Sequence, residues 1–208
     1  MRLVVPVSGS TPKTRLAPVL SPAERRDFTE AMLADVVDAV TAAGHEPEVI
    51  STAPLDCAVP VTVDDRGLDP LVNDLLASTV ADYRGELAVV MADLPLVTQE
   101  VIERLLAPEA DVVLAPGLGG GTNAFVCRHP AFRVDYHGAS IRDHRETARD
   151  VGASVTEIDS RRLATDIDEP GDLAEVLLHS DGAAADWLKQ SGFELTAAGG
   201  RIDVQRVQ

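Results

Sequence analysis

The stretch LAVVMADLP, residues 87–95, joins an apolar run directly to an aspartate and a proline. Five apolar residues in succession predict a strand that is buried on both faces, as in a parallel sheet covered by helices. Ligands bind outside the carboxyl ends of such strands, so Asp93 is predicted to reach into a site from a rigid element. Taken alone, Asp93 is equally well explained as a turn or helix-capping residue.

Apolar runs and helical patterns alternate on both sides of this strand, which predicts an α/β domain around a mostly parallel central sheet flanked by helices. Ser21, Pro22 and Glu24 predict the start of the first helix through an N-cap, a first-turn proline and a capping box, and Gly44 ends it. The expected strands are residues 3–7, 48–51, 87–91, 111–115, 123–127 and 154–158, with a proline-interrupted run at 57–63. The further expected helices are residues 68–83, 98–106, 142–151 and 170–178.

The length of 208 residues and a hydrophobic fraction of 45% suit one domain with a short extension. We expect the domain to cover residues 1–178 and the extension residues 179–208, with a helix at 181–190 and a ribbon or dimer arm at 192–208. No apolar run reaches the roughly 20 residues of a membrane span, and two cysteines make no disulfide framework. These features predict a cytoplasmic protein without a membrane partner.

The charge balance is strongly acidic, with a net charge of −16 and only two lysines, Lys13 and Lys189. An acidic surface repels phosphate backbones, so nucleic acid is not an expected partner. Many acidic residues with few lysines are typical of a protein kept soluble in concentrated salt, where a Debye length of about 3 Å at 1 M weakens self-repulsion. We therefore expect a halophilic source, the alternative being an ordinary acidic enzyme.

A second acidic segment, TDIDEPGDL at residues 165–173, carries Asp166 and Asp168. Their side chains alternate along an extended chain, so one of them is expected to face the site. Asp168 alternatively caps the helix that Pro170 begins. Together with Asp93, this segment offers the one or two carboxylates that a phosphate-bound Mg²⁺ typically takes.

The loop after the first strand, VSGSTPKTRL at residues 7–16, combines Ser8, Gly9, Lys13 and Arg15. Backbone N–H groups and cations of this kind suit a triphosphate, although a solvated basic turn is the alternative. The loop matches neither a Walker A motif nor a dinucleotide-binding glycine turn.

Two further segments carry groups suited to an anion. In PGLGGGTNA, residues 116–124, three consecutive glycines predict a close approach of backbone to a ligand, and Thr122 and Asn123 follow with side-chain donors. A flexible hairpin loop is the alternative. In YHGASIRDH, residues 136–144, Gly138 and Ser140 open a helix whose first N–H groups favour an anion, although Ser140 is equally plausible as an N-cap.

Together these segments resemble the 2-phospho-L-lactate guanylyltransferase family of coenzyme F-420 biosynthesis. The resemblance covers about residues 1–178. It rests on PKTRLAPVLS (12–21), MADLPL (91–96), GGGTNA (119–124), FRV (132–134) with Gly138 and SIRDH (140–144), and DIDEPGDL (166–173). Two of these motifs, Ala-Asp-Leu-Pro and Asp-x-Asp-x-Pro, recur across the wider nucleotidyltransferase superfamily.

The resemblance implies a Rossmann-like, glycosyltransferase-A-type nucleotidyltransferase fold that is usually dimeric. It also implies GTP and Mg²⁺, with 2-phospho-L-lactate, or phosphoenolpyruvate in some members, as acceptor and diphosphate as product. The implied catalytic residues are Lys13, Arg15 and Asp93. The implied metal ligands are Asp93 with Asp166 or Asp168. The implied nucleotide contacts are Ser8, Gly9, Lys13, Arg15, Gly67, Asn73 and Asp93, and the implied acceptor contacts are Thr122, Asn123, Gly138 and Ser140.

One departure concerns the opening loop, where such loops often carry a second lysine and this chain has Ser8 and Gly9. The alternatives are a molybdopterin- or sugar-phosphate-type nucleotidyltransferase, a glycosyltransferase that uses a nucleotide-sugar, and a nucleotide-binding subunit without catalysis.

Overall fold

The computed structural model describes residues 1–10, 13–81, 85–198 and 201–207. Its centre is a seven-stranded sheet in the order β3-β2-β1-β4-β6-β5-β7, in which β6 is antiparallel to both neighbours and the other pairs are parallel. The strands are β1 (Arg2–Val7), β2 (Pro47–Ser51), β3 (Val61–Val63), β4 (Leu87–Val90), β5 (Val112–Pro116), β6 (Thr122–Cys127) and β7 (Val155–Glu157). The expected mostly parallel α/β sheet is confirmed.

The helices are α1 (Pro22–Ala42), α2 (Leu68–Leu76), α3 (Gln99–Leu106), α4 (Ser140–Asp150), α5 (Arg161–Ala164), α6 (Leu173–His179) and α7 (Ala183–Gln190). The α-helix expected at residues 68–83 is shorter, because α2 ends at Leu76. A π-helical turn over Ala77–Ala81 follows it directly. Residues 82 and 83 of that prediction lie outside the described part. Pro170–Asp172 forms a 3₁₀ turn before α6, and the strand expected at 57–63 begins only after Pro60.

The start of α1 shows the predicted capping box. Ser21 Oγ accepts a hydrogen bond from the backbone N–H of Glu24, and the Ser21 N–H donates to Glu24 Oε2 at 2.8 Å. Pro22 is the first helical residue, where its missing N–H costs nothing. Gly44 follows the helix with φ of +82°, a left-handed conformation that glycine adopts without strain.

Alternate residues of the central strands face two separate cores. On one face, Leu3 and Ala88 pack with α1, α3 and α5; on the other, Val4 and Val89 pack with α2 and α4. All four side chains are buried. Burial on both faces explains why β4 has a continuous apolar run and not an alternating one.

The C-terminal residues form α7 and a two-stranded hairpin, β8 (Phe193–Ala198) and β9 (Arg201–Arg206). Trp187 stacks on Phe28 of α1 with ring centroids 5.2 Å apart. Asp35 of α1 accepts hydrogen bonds from the first N–H groups of α7, at 2.6 Å from Ala183 and 3.0 Å from Ala184. The expected helix and ribbon are therefore present, while residues 199, 200 and 208 of the expected arm lie outside the described part. In the part of the chain that the structure describes, no helix is long and apolar enough to cross a bilayer.

Candidate active site

A cleft of about 450 Å³ opens at the edge of the sheet where the parallel strands β1, β2 and β4 end. Ser8 follows β1, Thr52 follows β2, and Asp93 follows β4, and all three line the cleft. Lys13 and Asp168 line it from the opening loop and from the segment before α6. The cleft therefore lies where ligands bind in open α/β sheets.

Lys13 lies between two aspartates. Its Nζ atom is 2.6 Å from Asp93 Oδ2 and 2.6 Å from Asp168 Oδ1, and its side chain is only 10% exposed. Burial alone would lower the pKa of Lys13, but the two carboxylates outweigh it and raise the pKa, so the ammonium stays charged. Lys13 has φ of +51°, an uncommon conformation for a residue with a side chain.

The backbone brings the two aspartates together. The N–H of Ile167 donates to the carbonyl of Asp93 at 3.1 Å, so the segment of residues 166–168 runs beside the end of β4. The alternative in which Asp168 caps the following helix is wrong, because Glu169 is the N-cap of the turn that Pro170 begins, and Asp172 Oδ2 accepts from the N–H groups of Asp168 and Glu169. The Asp168 carboxylate is left free to face Lys13.

Arg15 adds a second cation at the mouth of the cleft. Its Nη2 atom is 2.8 Å from Asp168 Oδ2, and its side chain is 65% exposed. The two oxygens of Asp168 thus pair with two different cations of the opening loop. An exposed guanidinium at this position is able to turn from the carboxylate to an incoming phosphate.

Gly9 permits close contact between the loops after β1 and β2. Its N–H donates to Thr52 Oγ1 at 3.0 Å, and an added Cβ would lie 2.6 Å from Ser51 Oγ. Any larger residue would push the opening loop away from β2, so Gly9 shapes the cleft, which Ser8 lines.

Asp166 points to a different partner from Asp168, as alternation predicts. Its Oδ1 atom accepts a hydrogen bond from Asn123 Nδ2 at 3.1 Å, and the same amide donates to the carbonyl of Leu163 at 2.9 Å. Burial raises the pKa of Asp166, and the nearby charges of Asp93 and Asp168 raise it further. Three carboxylates thus lie close together, although Asp166 itself does not line the cleft.

This crowding fits a divalent cation. The ammonium of Lys13 shows that Asp93 and Asp168 converge on one cation position. Carboxylate oxygens are the hard ligands that Mg²⁺ prefers. The residues present therefore suit a metal ion.

Thr122 and Ser140 lie together next to this end of the sheet. Their hydroxyl oxygens are 3.5 Å apart, and both residues are buried, at 3% and 2% exposure. Ser140 is the first residue of α4, whose N-cap Ala139 provides no side-chain cap. The alternative in which Ser140 is the N-cap is therefore wrong.

The glycines around this pair leave room for a ligand. Gly138 has φ of +60°, and a Cβ added at Gly138 or Gly119 would meet nothing within 4 Å. Gly117 instead packs on Asn123, because its added Cβ would lie 2.5 Å from Asn123 Oδ1. The triple-glycine loop is thus tightly packed at one end and open at the other.

The structure does not bring Asn73 to the cleft. Its amide donates to the carbonyl of Val134 at 3.0 Å and accepts from the N–H of Val134 at 2.9 Å. Both functions of the amide are used to hold the segment before α4, so the nucleotide contact implied for Asn73 stays a prediction. Gly67 does line the cleft, at the start of α2.

Three residues that the sequence did not point to also matter to the site. Asp64 and Arg66 line the cleft after β3 and form a two-point ion pair, with Nε to Oδ1 at 3.0 Å and Nη2 to Oδ2 at 2.7 Å. The short DDRG segment before a helix was the signal available for them. His144 lies buried against Thr122, with Nδ1 at 2.8 Å from Oγ1.

A separate group on the surface, Asp69, Asp135 and His137, has ligand atoms within 4.8 Å of one another. Asp69 and Asp135 also accept hydrogen bonds from the N–H groups of Tyr136 and His137. These contacts hold the turn before α4 and explain the group without a metal.

Known proteins resemble this chain over almost its whole length. The family described as guanylyl transferase CofC like matches residues 1–207. Proteins named 2-phospho-L-lactate guanylyltransferase from Haloarcula marismortui and Halomicrobium mukohataei are 92% and 62% identical over 206 residues. The alignments cover 99% of this chain and 99% and 100% of the relatives. These haloarchaeal relatives support the halophilic source expected from the charge.

Solved structures support the fold. A candidate nucleotide-diphospho-sugar transferase from Desulfovibrio desulfuricans G20 superposes with a TM-score of 0.74 at 15% identity, over 92% of this chain and 96% of the other. A nucleotidyl transferase from Methanothermobacter gives a TM-score of 0.57 at 14% identity, over 91% and 99%. At these identities the likeness concerns the fold alone, and it confirms the expected nucleotidyltransferase architecture.

Proposed function

The chain belongs to the CofC-like guanylyl transferase family, and from this premise we propose that it transfers GMP from GTP to 2-phospho-L-lactate, with release of diphosphate. The observation that carries the proposal is the cluster of Lys13, Asp93 and Asp168 at the carboxyl edge of the sheet. It combines a buried cation for phosphate with two convergent carboxylates for a metal. The cleft beside it has the size of a small-ligand pocket.

The triphosphate of GTP would lie along the opening loop. Lys13 and Arg15 would exchange their carboxylate partners for phosphate oxygens, and Ser8 would bring its backbone N–H group close to them. Gly9, whose N–H donates to Thr52, would hold the loop in place beside the phosphates. Gly67, at the opposite wall, would approach the nucleoside. The nucleotide roles of these residues and of Asn73 are proposals that binding experiments test.

Mg²⁺ would be held by Asp93 and Asp168, with Asp166 as the neighbouring carboxylate that Asn123 orients. When bound, the ion supplies positive charge at the phosphoryl group that is transferred. The side chains and backbone groups of the protein would hold the two substrates in line.

In the reaction, a phosphate oxygen of the acceptor attacks the α-phosphorus of GTP, and the bond from that phosphorus to the leaving diphosphate breaks. The attacking oxygen is already ionised, so no protein nucleophile and no general base are required. Lys13 and Arg15 neutralise the charge that develops on diphosphate, a contribution that is larger in a site with little water. Holding both substrates in line supplies the remaining part of the rate acceleration.

The acceptor would lie beside Thr122 and Ser140, in the open space next to Gly138, with Asn123 at its edge. Ser140 opens α4, and the positive end of a helix dipole favours an anion, although the N–H groups of Ile141 and Arg142 already donate to backbone carbonyls. Phosphoenolpyruvate differs from 2-phospho-L-lactate by a double bond, so the same contacts would suit it, and an assay decides between them.

We also propose a homodimer in the cytoplasm. The support is the C-terminal hairpin, on which Leu195 and Ile202 remain 40% and 47% exposed. Light scattering in high salt tests the dimer, and a monomer at micromolar concentration would contradict it.

The test of the function is release of diphosphate in high salt with Mg²⁺, for each nucleoside triphosphate paired with 2-phospho-L-lactate, phosphoenolpyruvate and 3-phosphoglycerate. We expect release with GTP and 2-phospho-L-lactate. A glycosyltransferase would release a nucleoside diphosphate instead. Saturable GTP binding by folded protein without turnover on any acceptor would overturn the proposal.

A further inference from the structure

His144 is a fully buried histidine of α4, at 0% exposure, that contacts both the loop before its helix and a proposed acceptor residue. Its Nε2 atom lies 3.0 Å from the backbone nitrogen of Asp135. Its Nδ1 atom lies 2.8 Å from Oγ1 of Thr122. Both ring nitrogens therefore have a defined partner.

The partner at Nε2 determines the tautomer. A backbone N–H only donates, so the Nε2 atom that faces Asp135 must accept and carries no proton. Burial lowers the pKa of His144 and keeps the ring neutral. The single ring proton therefore lies on Nδ1, and it is donated to the Thr122 hydroxyl oxygen.

This donation orients the Thr122 hydroxyl. Because Oγ1 accepts from His144, its own proton points away from the ring. Within the described residues, the nearest side-chain partner is Ser140 Oγ at 3.5 Å, which is long for a hydroxyl hydrogen bond. The Thr122 proton thus has no close side-chain acceptor among the residues that the structure describes.

The ring itself cannot easily turn. Tyr136 packs edge-on against it, with centroids 5.1 Å apart and an interplanar angle of 88°, and Phe132 packs at 6.0 Å. A flipped ring would place the carbon atoms Cδ2 and Cε1 opposite Thr122 and Asp135, and both hydrogen bonds would be lost. Packing and hydrogen bonding therefore select the same orientation.

We infer that His144 is a positioning residue, which holds Thr122 as a hydrogen-bond donor to an anionic oxygen of the phosphorylated acceptor. The inference rests on the proposed function, because it assumes that the acceptor lies at Thr122. His144 does not touch the substrate in this arrangement. Oriented in this way, the Thr122 hydroxyl donates to a ligand oxygen that accepts, and it does so most strongly when that oxygen is ionised.

Two substitutions of the same residue test the hydrogen bond at Nδ1. The amide of His144→Asn reaches the Nδ1 position and is able to donate to Thr122, whereas the amide of His144→Gln reaches the Nε2 position and leaves Thr122 without its donor. We expect the KM for 2-phospho-L-lactate to rise about tenfold or more in His144→Gln and clearly less in His144→Asn. The KM for GTP should stay unchanged in both.

Phe132→Leu is the matched control, because it loosens the packing around the ring and removes no hydrogen bond to Thr122. Its acceptor KM should rise less than that of His144→Gln, because both hydrogen bonds of the ring remain. An acceptor KM within twofold of the wild type in folded His144→Gln would overturn the inference, and so would equal changes in the Asn and Gln variants. A silent wild type would instead overturn the proposed function.

A measurement on the wild type covers the case in which the variants do not fold. In ¹⁵N spectra of protein labelled at histidine, His144 should show the neutral tautomer with its proton on Nδ1. A proton on Nε2, or a charged ring at pH 7, would overturn the inference.

Discussion

The Nζ atom of Lys13 lies 2.6 Å from Oδ2 of Asp93, although the two residues are 80 positions apart in the chain. The parallel pairing of β1 with β4 makes this contact possible, because it ends both strands at the same edge of the sheet. Under the proposed function, Lys13 would supply a cation for phosphate and Asp93 a carboxylate for the metal. Their charges compensate each other until the substrates arrive, so substitution of either one should affect catalysis.

Lys13→Met should lower kcat/KM by about 10²–10³, because it removes the buried positive charge that faces the triphosphate. Diphosphate release at saturating acceptor measures the change. Lys189→Met is the control, since Lys189 is 52% exposed on α7 and its ion pair within the described part of the chain is with Asp186 at 3.6 Å. Equal activity of the two variants would contradict the role of Lys13.

Asp93→Asn should lower the rate on the order of 10² or more, because a neutral amide loses the charge that a metal and Lys13 both require. Single-turnover measurements separate this effect from substrate binding. Asp186→Asn, at a side chain that is 62% exposed, controls for the loss of one acidic charge in so acidic a protein. An Asp93→Asn enzyme with undiminished turnover would exclude the proposed role.

Removal of divalent metal with a chelator should abolish diphosphate release, and Mg²⁺ should restore it. In Asp168→Asn, the Mg²⁺ concentration for half-maximal activity should rise about tenfold or more, because one of the convergent carboxylates is lost. Glu169→Gln is the adjacent control, whose exposed side chain lies 3.8 Å from Arg15. An unshifted Mg²⁺ requirement in Asp168→Asn would argue against Asp168 as a ligand.

The pH dependence of stability should report the buried ring of His144. Burial lowers its pKa below the usual 6.5, while Asp143, Asp69 and Asp135 oppose this to a smaller extent. Between the folded pKa and about 6.5, the unfolded chain binds more protons than the folded one, so stability rises with pH in this window. The free energy of unfolding should therefore fall more steeply from pH 7 to 5 in the wild type than in His144→Asn. Parallel curves from chemical denaturation would contradict this.

Gly182→Ala should lower the free energy of unfolding by about 1–3 kcal/mol, because its new Cβ would overlap the Asp35 carboxylate that caps α7. Gly171→Ala is the control, since a Cβ there meets nothing within 4 Å. Denaturant melts in high salt measure both. A Gly182→Ala protein as stable as the control would show that α7 moves aside without cost.

The sequence by itself determined the local elements and the family. The capping box at Ser21, the doubly buried β4 and Asp93 at its end each follow from residues within a few positions of one another. Such short-range patterns specify backbone conformation directly, because hydrogen bonding and side-chain periodicity act along one helix or strand. The motifs in these elements, taken together, then identified the family.

Only the tertiary structure decided which of the candidate side chains meet. In the folded chain, Asp168 pairs with Lys13, 155 positions away, and Asp166 accepts a hydrogen bond from Asn123. The tertiary structure holds Asn73 against Val134, away from the cleft, and places His144 against Thr122. A polar side chain bonds to whichever group the packed sheet and helices bring within about 3 Å. That distance depends on strand order and loop paths, which no local pattern contains.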